Sequence, residues 1–170
     1  MAKTALKWGV LTALFMFIWI SLEYAVGMHS DYIAYHPVVT LLALLIPLLC
    51  LYWGLREEKR KDPRTFTFSR ALLLGLFISG VAALAGMLGQ WVFHTFINPD
   101  FFNSQITFAE SRALAQGMDV LVARREAEAY FSLRSYLVQA LGGALIGGAV
   151  ASAVLAFFMH NKNPTTPTAR

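Results

Sequence analysis

Glu23 stands in an apolar run, Trp8 to Met28, that is interrupted by Ser21 and by the glutamate itself. An ionisable group at membrane depth costs about 2.5–3.5 kcal/mol at the midplane, less near the interface, and normally faces protein or water. At the helical rise, Glu23 lies about 7 Å inside the outer end of its run, Gln90 about 10 Å and His94 about 5 Å inside theirs. Gly86, Gln90 and His94 step by four along one face, and Gln139 enters from the same side one turn after Arg134. Glu23, Gln90, His94 and Gln139 are therefore the candidate polar site, with His29 and His36 flanking its outer mouth.

Those residue types support two chemistries and one structural role. Glu23 and His94 would make a proton-responsive pair or a small polar pocket, because histidine titrates near neutrality and apolar surroundings shift carboxylates. Glu23 with His29, His36 and His94 would alternatively surround a divalent metal such as zinc, although no i, i+3 or i, i+4 ligand spacing marks a metal motif. In the structural role, the favoured expectation, Glu23 bonds neighbouring helices and the histidines sit among headgroups. No Gly-rich phosphate loop, His-Glu-x-x-His or nucleophile elbow is present. Ser79 and Ser152 lie in apolar runs, where a hydroxyl bonds back to its own helix. The expectation is a protein that is not an enzyme, with no catalytic residue, no cofactor and no metal.

Composition says what must position these groups. Only 14% of the 170 residues are charged, 57% are apolar, and the mean hydropathy is +0.55, whereas soluble domains carry about 25% charge. Disordered, disulfide-stapled, coiled-coil and most soluble-enzyme classes are thereby excluded. The one cysteine, Cys50, lies in an apolar run as a core or lipid-facing residue. The net charge of +4 does not indicate nucleic-acid binding, because the basic residues gather at the ends of apolar runs.

About twenty apolar residues cross a bilayer as a helix. Four stretches qualify: 8–28, 38–55, 71–97 and 136–159. Pro47 loosens the second by leaving the Ala43 carbonyl without its helical donor. The third is long enough that it must tilt or emerge into the headgroups. Ten Lys and Arg residues mark one side and four the other, which places both termini in the cytoplasm. Lys3, Lys7 and Ala25-Val26-Gly27 also resemble a secretory signal with its cleavage site. Its length, two tryptophans and Glu23 favour a retained span.

Residues 98–135 carry helical periodicity. Phe102, Ile106, Ala109 and Ala113 share one face, then Val120, Ala123, Ala127 and Phe131 another. Gly117 ends the first helix, Asp119 caps the second, and Arg124 pairs with Glu128. The expectation is an outer amphipathic hairpin lying on the membrane or over the bundle mouth, with residues 161–170 a disordered cytoplasmic tail.

Lipid-soluble helices associate through small residues. Ala140, Gly143, Ala144, Gly147, Gly148 and Ala151 form one face of the fourth span; Ser79, Ala82, Ala83, Gly86 and Gln90 form one face of the third. Packing between these two spans, with Gly86, Gly143 and Gly147 as contact points, is favoured over a homodimer. The partners expected are the bilayer and another membrane protein or a second copy.

From Gly54 onward the chain resembles a family of small bacterial membrane proteins defined only as a domain of unknown function. The residues that carry this are Gly54-Leu55-Arg56-Glu57-Glu58-Lys59-Arg60, Phe68-Ser69-Arg70-Ala71 through Gly75, Asn98-Pro99-Asp100-Phe101-Phe102 and the Gly-rich last span. Leu55 stands where that pattern has Ile. The resemblance implies four spans in a bacterial inner membrane and supplies no activity. The fold class expected is all-α: a single four-helix membrane domain over residues 1–160.

Overall fold

The computed structural model describes residues 1–161. It is all-helical, and four of its helical segments are long and apolar enough to cross a membrane: Ala2–Ala25, His36–Lys61, Phe68–Ile97 and Leu133–Met159. In chain order these contain α1 (Ala2–Ala25), α2 (His36–Leu42), α3 (Leu45–Lys61), α4 (Phe68–Val92) with a terminal π turn (Phe93–Ile97), and α7 (Leu133–Met159); the hairpin α5 (Phe101–Ala115) and α6 (Val120–Tyr130) lies between the last two. One end of the bundle carries Lys7, Lys61 and Arg70, the other His29, His36 and His94.

Glycine geometry ends two helices in the same way. Gly27 and Gly117 have φ of 79° and 66°. After α1, the Met28 N–H donates to the Glu23 carbonyl at 2.9 Å and the Gly27 N–H to Tyr24 at 3.0 Å; after α5, Met118 donates to Ala113 at 2.9 Å and Gly117 to Leu114 at 3.2 Å. Both are Schellman motifs, in which a left-handed residue lets the last carbonyls find donors. The stretch Ala25-Val26-Gly27, which resembles a cleavage site in sequence, is thus the stop of α1 and holds Glu23 in its final turn.

The second span is broken into two helices. Pro47 cannot donate to Ala43, and the Ala43 carbonyl accepts instead from the Ile46 N–H at 3.0 Å. The Ala43 and Leu44 N–H groups likewise reach back three residues, to Thr40 and Leu41. This tighter turn separates α2 from α3.

α4 is the central helix, and its neighbours approach at glycines. A Cβ on Gly9 would lie 2.5 Å from Val81 Cβ and 2.9 Å from the Ile78 carbonyl, which brings α1 against α4. Farther along, Phe17 lies over Gly89 at 3.3 Å, so α1 and α4 run in the same direction. Against antiparallel α7, Ser152 sits on Gly75 and Ser79 on Gly148, each within 2.5 Å of a virtual Cβ. The two contacts are reciprocal and one turn apart. Ser152 Oγ donates back to the Gly148 carbonyl at 2.6 Å, which satisfies the hydroxyl within its own helix.

The expected contact glycines need correction. Nothing lies within 4 Å of a Cβ built on Gly86, Gly143 or Gly147. The helices cross where Gly75 and Gly148 meet serines, which rotates Gly143 and Gly147 to the outside of the bundle. The apolar core of Ala5, Leu51, Leu55, Phe66, Ala71, Leu74, Ile78 and Ala156 lies towards the basic end. Outward, Phe77, Leu84, Ile146 and Phe158 are exposed, as lipid-facing side chains are.

The hairpin keeps its expected faces: Ala113 and Ala127 are buried, with Phe102, Ile106, Ala109, Val120, Ala123 and Phe131 half-buried. Asp119 Oδ1 accepts from Leu121 and Val122 N–H at 2.8 and 3.2 Å. Arg124 bridges Glu128 at 2.7 Å and Glu110 on the facing helix at 3.1 Å. At the other end Asn161, expected in the tail, is docked: its N–H donates to the Phe66 carbonyl at 2.8 Å and its side-chain amide to Pro63 at 3.2 Å. The remainder of that tail, 162–170, lies outside the described residues.

Gly148→Leu is expected to lower the stability of the full chain in detergent by about 1–3 kcal/mol through overpacking. Gly147→Leu should stay within about 0.5 kcal/mol of the parent. Thermal unfolding of the two variants side by side reads the difference.

Candidate functional site

Glu23, in the last turn of α1, is only 5% exposed. Its two carboxylate oxygens have different neighbours. Oε1 accepts from Trp19 Nε1 and from Thr40 Oγ1, each at 2.7 Å. Trp19 lies one turn earlier on the same helix and Thr40 on α2, so the carboxylate joins the two helices across their loop. Oε2 faces two imidazoles, with His29 Nε2 and His36 Nε2 each 3.9 Å away.

Both histidines are buried, His29 at 3% and His36 at 9% exposure. His36 opens α2, with Pro37 behind it in the first turn where a missing N–H costs nothing. His29 projects from the loop after the Gly27 stop. The two rings meet edge to face at 4.9 Å. On its far side, His29 Nδ1 contacts Asn98 Nδ2 at 3.1 Å. Asn98 follows the π turn of α4, whose wide ring is closed by the Asn98 N–H donating to Phe93 O at 2.8 Å. That turn therefore brings the end of the third span to His29.

Aromatic rings seal the cluster. Phe101, 1% exposed, packs on His29 at 4.9 Å, on His36 at 5.8 Å and on His94 at 4.6 Å. Phe93 lies against His29 at 5.9 Å and Tyr24 at 6.0 Å. Among the described residues, His29 Nε2, His94 Nδ1 and Gln105 Nε2 are buried nitrogens without a hydrogen-bond partner. Such groups are costly to bury unpaired.

The four residues nominated by depth separate into three places. Glu23 belongs with His29 and His36. Gln90 and His94 form their own pair, Nε2 to Oε1 at 2.9 Å, and His94 continues into Phe102 at 4.8 Å and Tyr136 at 5.4 Å. Gln139 is exposed and donates to Ser135 on its own helix at 2.8 Å; the rotation of α7 set by the Gly148 contact turns it away. His29 and His36 are not at the mouth but inside it. Their signal in the sequence was proximity to Glu23 across one short loop. Asn98 and Thr40 gave none, since both read as ordinary polar residues near span ends.

A second polar cluster lies at the basic end. Glu58 is 3% exposed and accepts from Thr4 at 2.8 Å, with Lys61 and Arg70 at 3.4 Å. Glu57 accepts from Lys7 and Trp8 at 2.7 and 2.8 Å. These bonds join α1, α3 and α4. In the loop beyond, the Thr65 hydroxyl donates to Asp62 and holds its carboxyl below the usual range. The charged run of the Gly54–Arg60 segment thus braces helices together.

Thr40→Val removes one donor from a buried carboxylate and is expected to cost about 0.5–2 kcal/mol. Thr40→Ser keeps the hydroxyl and should unfold near the parent temperature. Equal melting of Val and Ser variants would show that the bond contributes nothing.

No curated protein and no solved structure matches the chain. A family model described as a protein of unknown function (DUF4199) matches residues 7–161. With nearly all of its length matched, including the whole of the histidine end, the chain belongs to the DUF4199 family.

Proposed function

We propose that this protein is a non-enzymatic accessory component of a membrane in which the histidine end senses and the α5–α6 hairpin responds. The observation that carries this reading is the position of Phe101. The first residue of the hairpin inserts its ring among His29, His36 and His94, while Asn98, three residues earlier, contacts His29. A change of charge at the cluster is therefore felt at the root of the hairpin. Beyond that root the two hairpin helices pack chiefly on each other, so they are free to move as a unit. A transport role for the same end is less well supported, because the apolar core around Leu51, Leu55, Leu74 and Ile78 lies towards the basic end, in the path through the bundle.

The orientation we infer puts both termini and the 62–67 loop in the cytoplasm of a bacterial inner membrane. The excess of Lys and Arg at that end supports it. The partners in this reading are lipid and a membrane protein, a second copy included; nucleic acid has no part in it.

Phe101→Ala should raise hydrogen exchange across α5 and α6 in lipid nanodiscs while α1, α4 and α7 keep their protection. Unchanged exchange in the hairpin, or loss of protection throughout, contradicts a latch at this residue. In a Cys50→Ser background, Gln116→Cys should react with an impermeant maleimide on intact cells and Arg64→Cys only after permeabilisation. The opposite pattern reverses the orientation.

A further inference from the structure

We propose that Glu23, His29 and His36 form a binding site for a divalent transition-metal ion of the zinc class. The proposal deepens the sensing reading, on which it rests, by naming what occupies the histidine end. Three observations lead to it.

The first is distance. One donor atom from each residue lies within 4.8 Å of the other two, and both Nε2 atoms are 3.9 Å from Glu23 Oε2. The centre of a triangle with such sides is at most about 2.5 Å from each corner, against about 2.0–2.2 Å for zinc–imidazole and zinc–carboxylate bonds. Side-chain rotation of under about 1 Å closes the difference. By contrast, 3.9 Å is too long for the hydrogen bonds that would otherwise pair these groups.

The second is the unpartnered His29 Nε2, buried and aimed at the carboxylate. A ring nitrogen in that position needs either an acceptor or an ion. Histidine ligands commonly use the second ring nitrogen to anchor the ring through an outer partner. His29 already has a neighbour for that role in Asn98, whose Nδ2 lies 3.1 Å from Nδ1 and donates to it; flipping the amide would present Oδ1 instead, so that Nδ1–H donates and the Nε2 lone pair is released to the metal.

The third is the division of labour on Glu23. Trp19 and Thr40 both donate to Oε1. The carboxylate is thereby oriented with Oε2 towards the histidines, as outer partners orient a metal ligand. Two neutral imidazoles and one carboxylate suit zinc and its neighbours, and three protein ligands leave a fourth position for water. His94 stays outside this set, bonded to Gln90.

The test uses the purified full chain in nanodiscs after chelator treatment and dialysis, titrated with Co2+ and read by its visible d–d absorption. One equivalent is expected per chain, displaced by Zn2+. His29→Gln and His36→Gln should each weaken binding by at least about 100-fold, and Asn98→Ala by about 10–100-fold, the range for outer-shell partners. His94→Ala should bind as the parent does. Absence of stoichiometric Co2+ binding in the parent overturns the proposal, as does undiminished binding in the His29/His36 double variant. Should those variants not fold, X-ray absorption of the zinc-loaded parent decides: two imidazole nitrogens at about 2.0–2.1 Å support the site, and fewer than two refute it. Metal binding and hairpin exchange are separate readouts, so failure of one leaves the other to stand or fall alone.

Discussion

The bundle depends on how closely α4 approaches its neighbours. In lipid, apolar side chains gain little by meeting one another, so helices associate where backbones come close enough for dense van der Waals contact. α4 has such contacts on two sides. Gly9 of α1 admits Val81 of α4, and the reciprocal Gly75–Ser152 and Ser79–Gly148 contacts seat α7. A small residue facing a serine gives close approach and also hides a hydroxyl that is satisfied within its own helix, as Ser152 is. These contacts set the rotation of α7, which in turn decides that Tyr136 faces His94 while Gln139 faces outward.

The two ends of the bundle bury polar groups by different means. At the basic end, Glu58 is surrounded by Thr4, Lys61 and Arg70. A buried carboxylate among donors is electrostatically settled, and it braces three helices. At the histidine end, Glu23 has donors on one oxygen only. The other faces rings with which it makes no hydrogen bond, and His29 Nε2 remains unpaired. Unpaired polar groups at such depth mark a place where binding can lower the free energy. A settled carboxylate at one end thus stands against an unsettled one at the other.

The segment between α4 and the hairpin joins the site to the surface. A π turn carries an extra residue in its ring and often occurs where function needs an altered trajectory. Here it brings Asn98 to His29, and two residues after Pro99 the Phe101 ring closes over the histidines. The same few residues thus end a span, cover the cluster and start the hairpin.

Four spans, the hairpin and its buried faces, the Gly117 stop and the Asp119 cap were all legible in the amino-acid sequence. Each depends on local physics: apolar length, 3.6-residue periodicity and the conformations open to glycine and aspartate. Pro47 likewise announced the break at Ala43, because a missing N–H acts within one turn. Depth along a span was also readable, and it singled out Glu23. What depth could not supply was the rotation of each helix about its axis. That is decided by which small residues of α4 and α7 meet, a choice among near-equivalent Gly and Ala positions that only tertiary packing makes. Rotation sent Gln139 outward and left Gly86, Gly143 and Gly147 without close neighbours. The loop stopped by Gly27 then folded His29 and His36 inward onto Glu23, because the carboxylate and the aromatic wall offered them a buried place that headgroups did not.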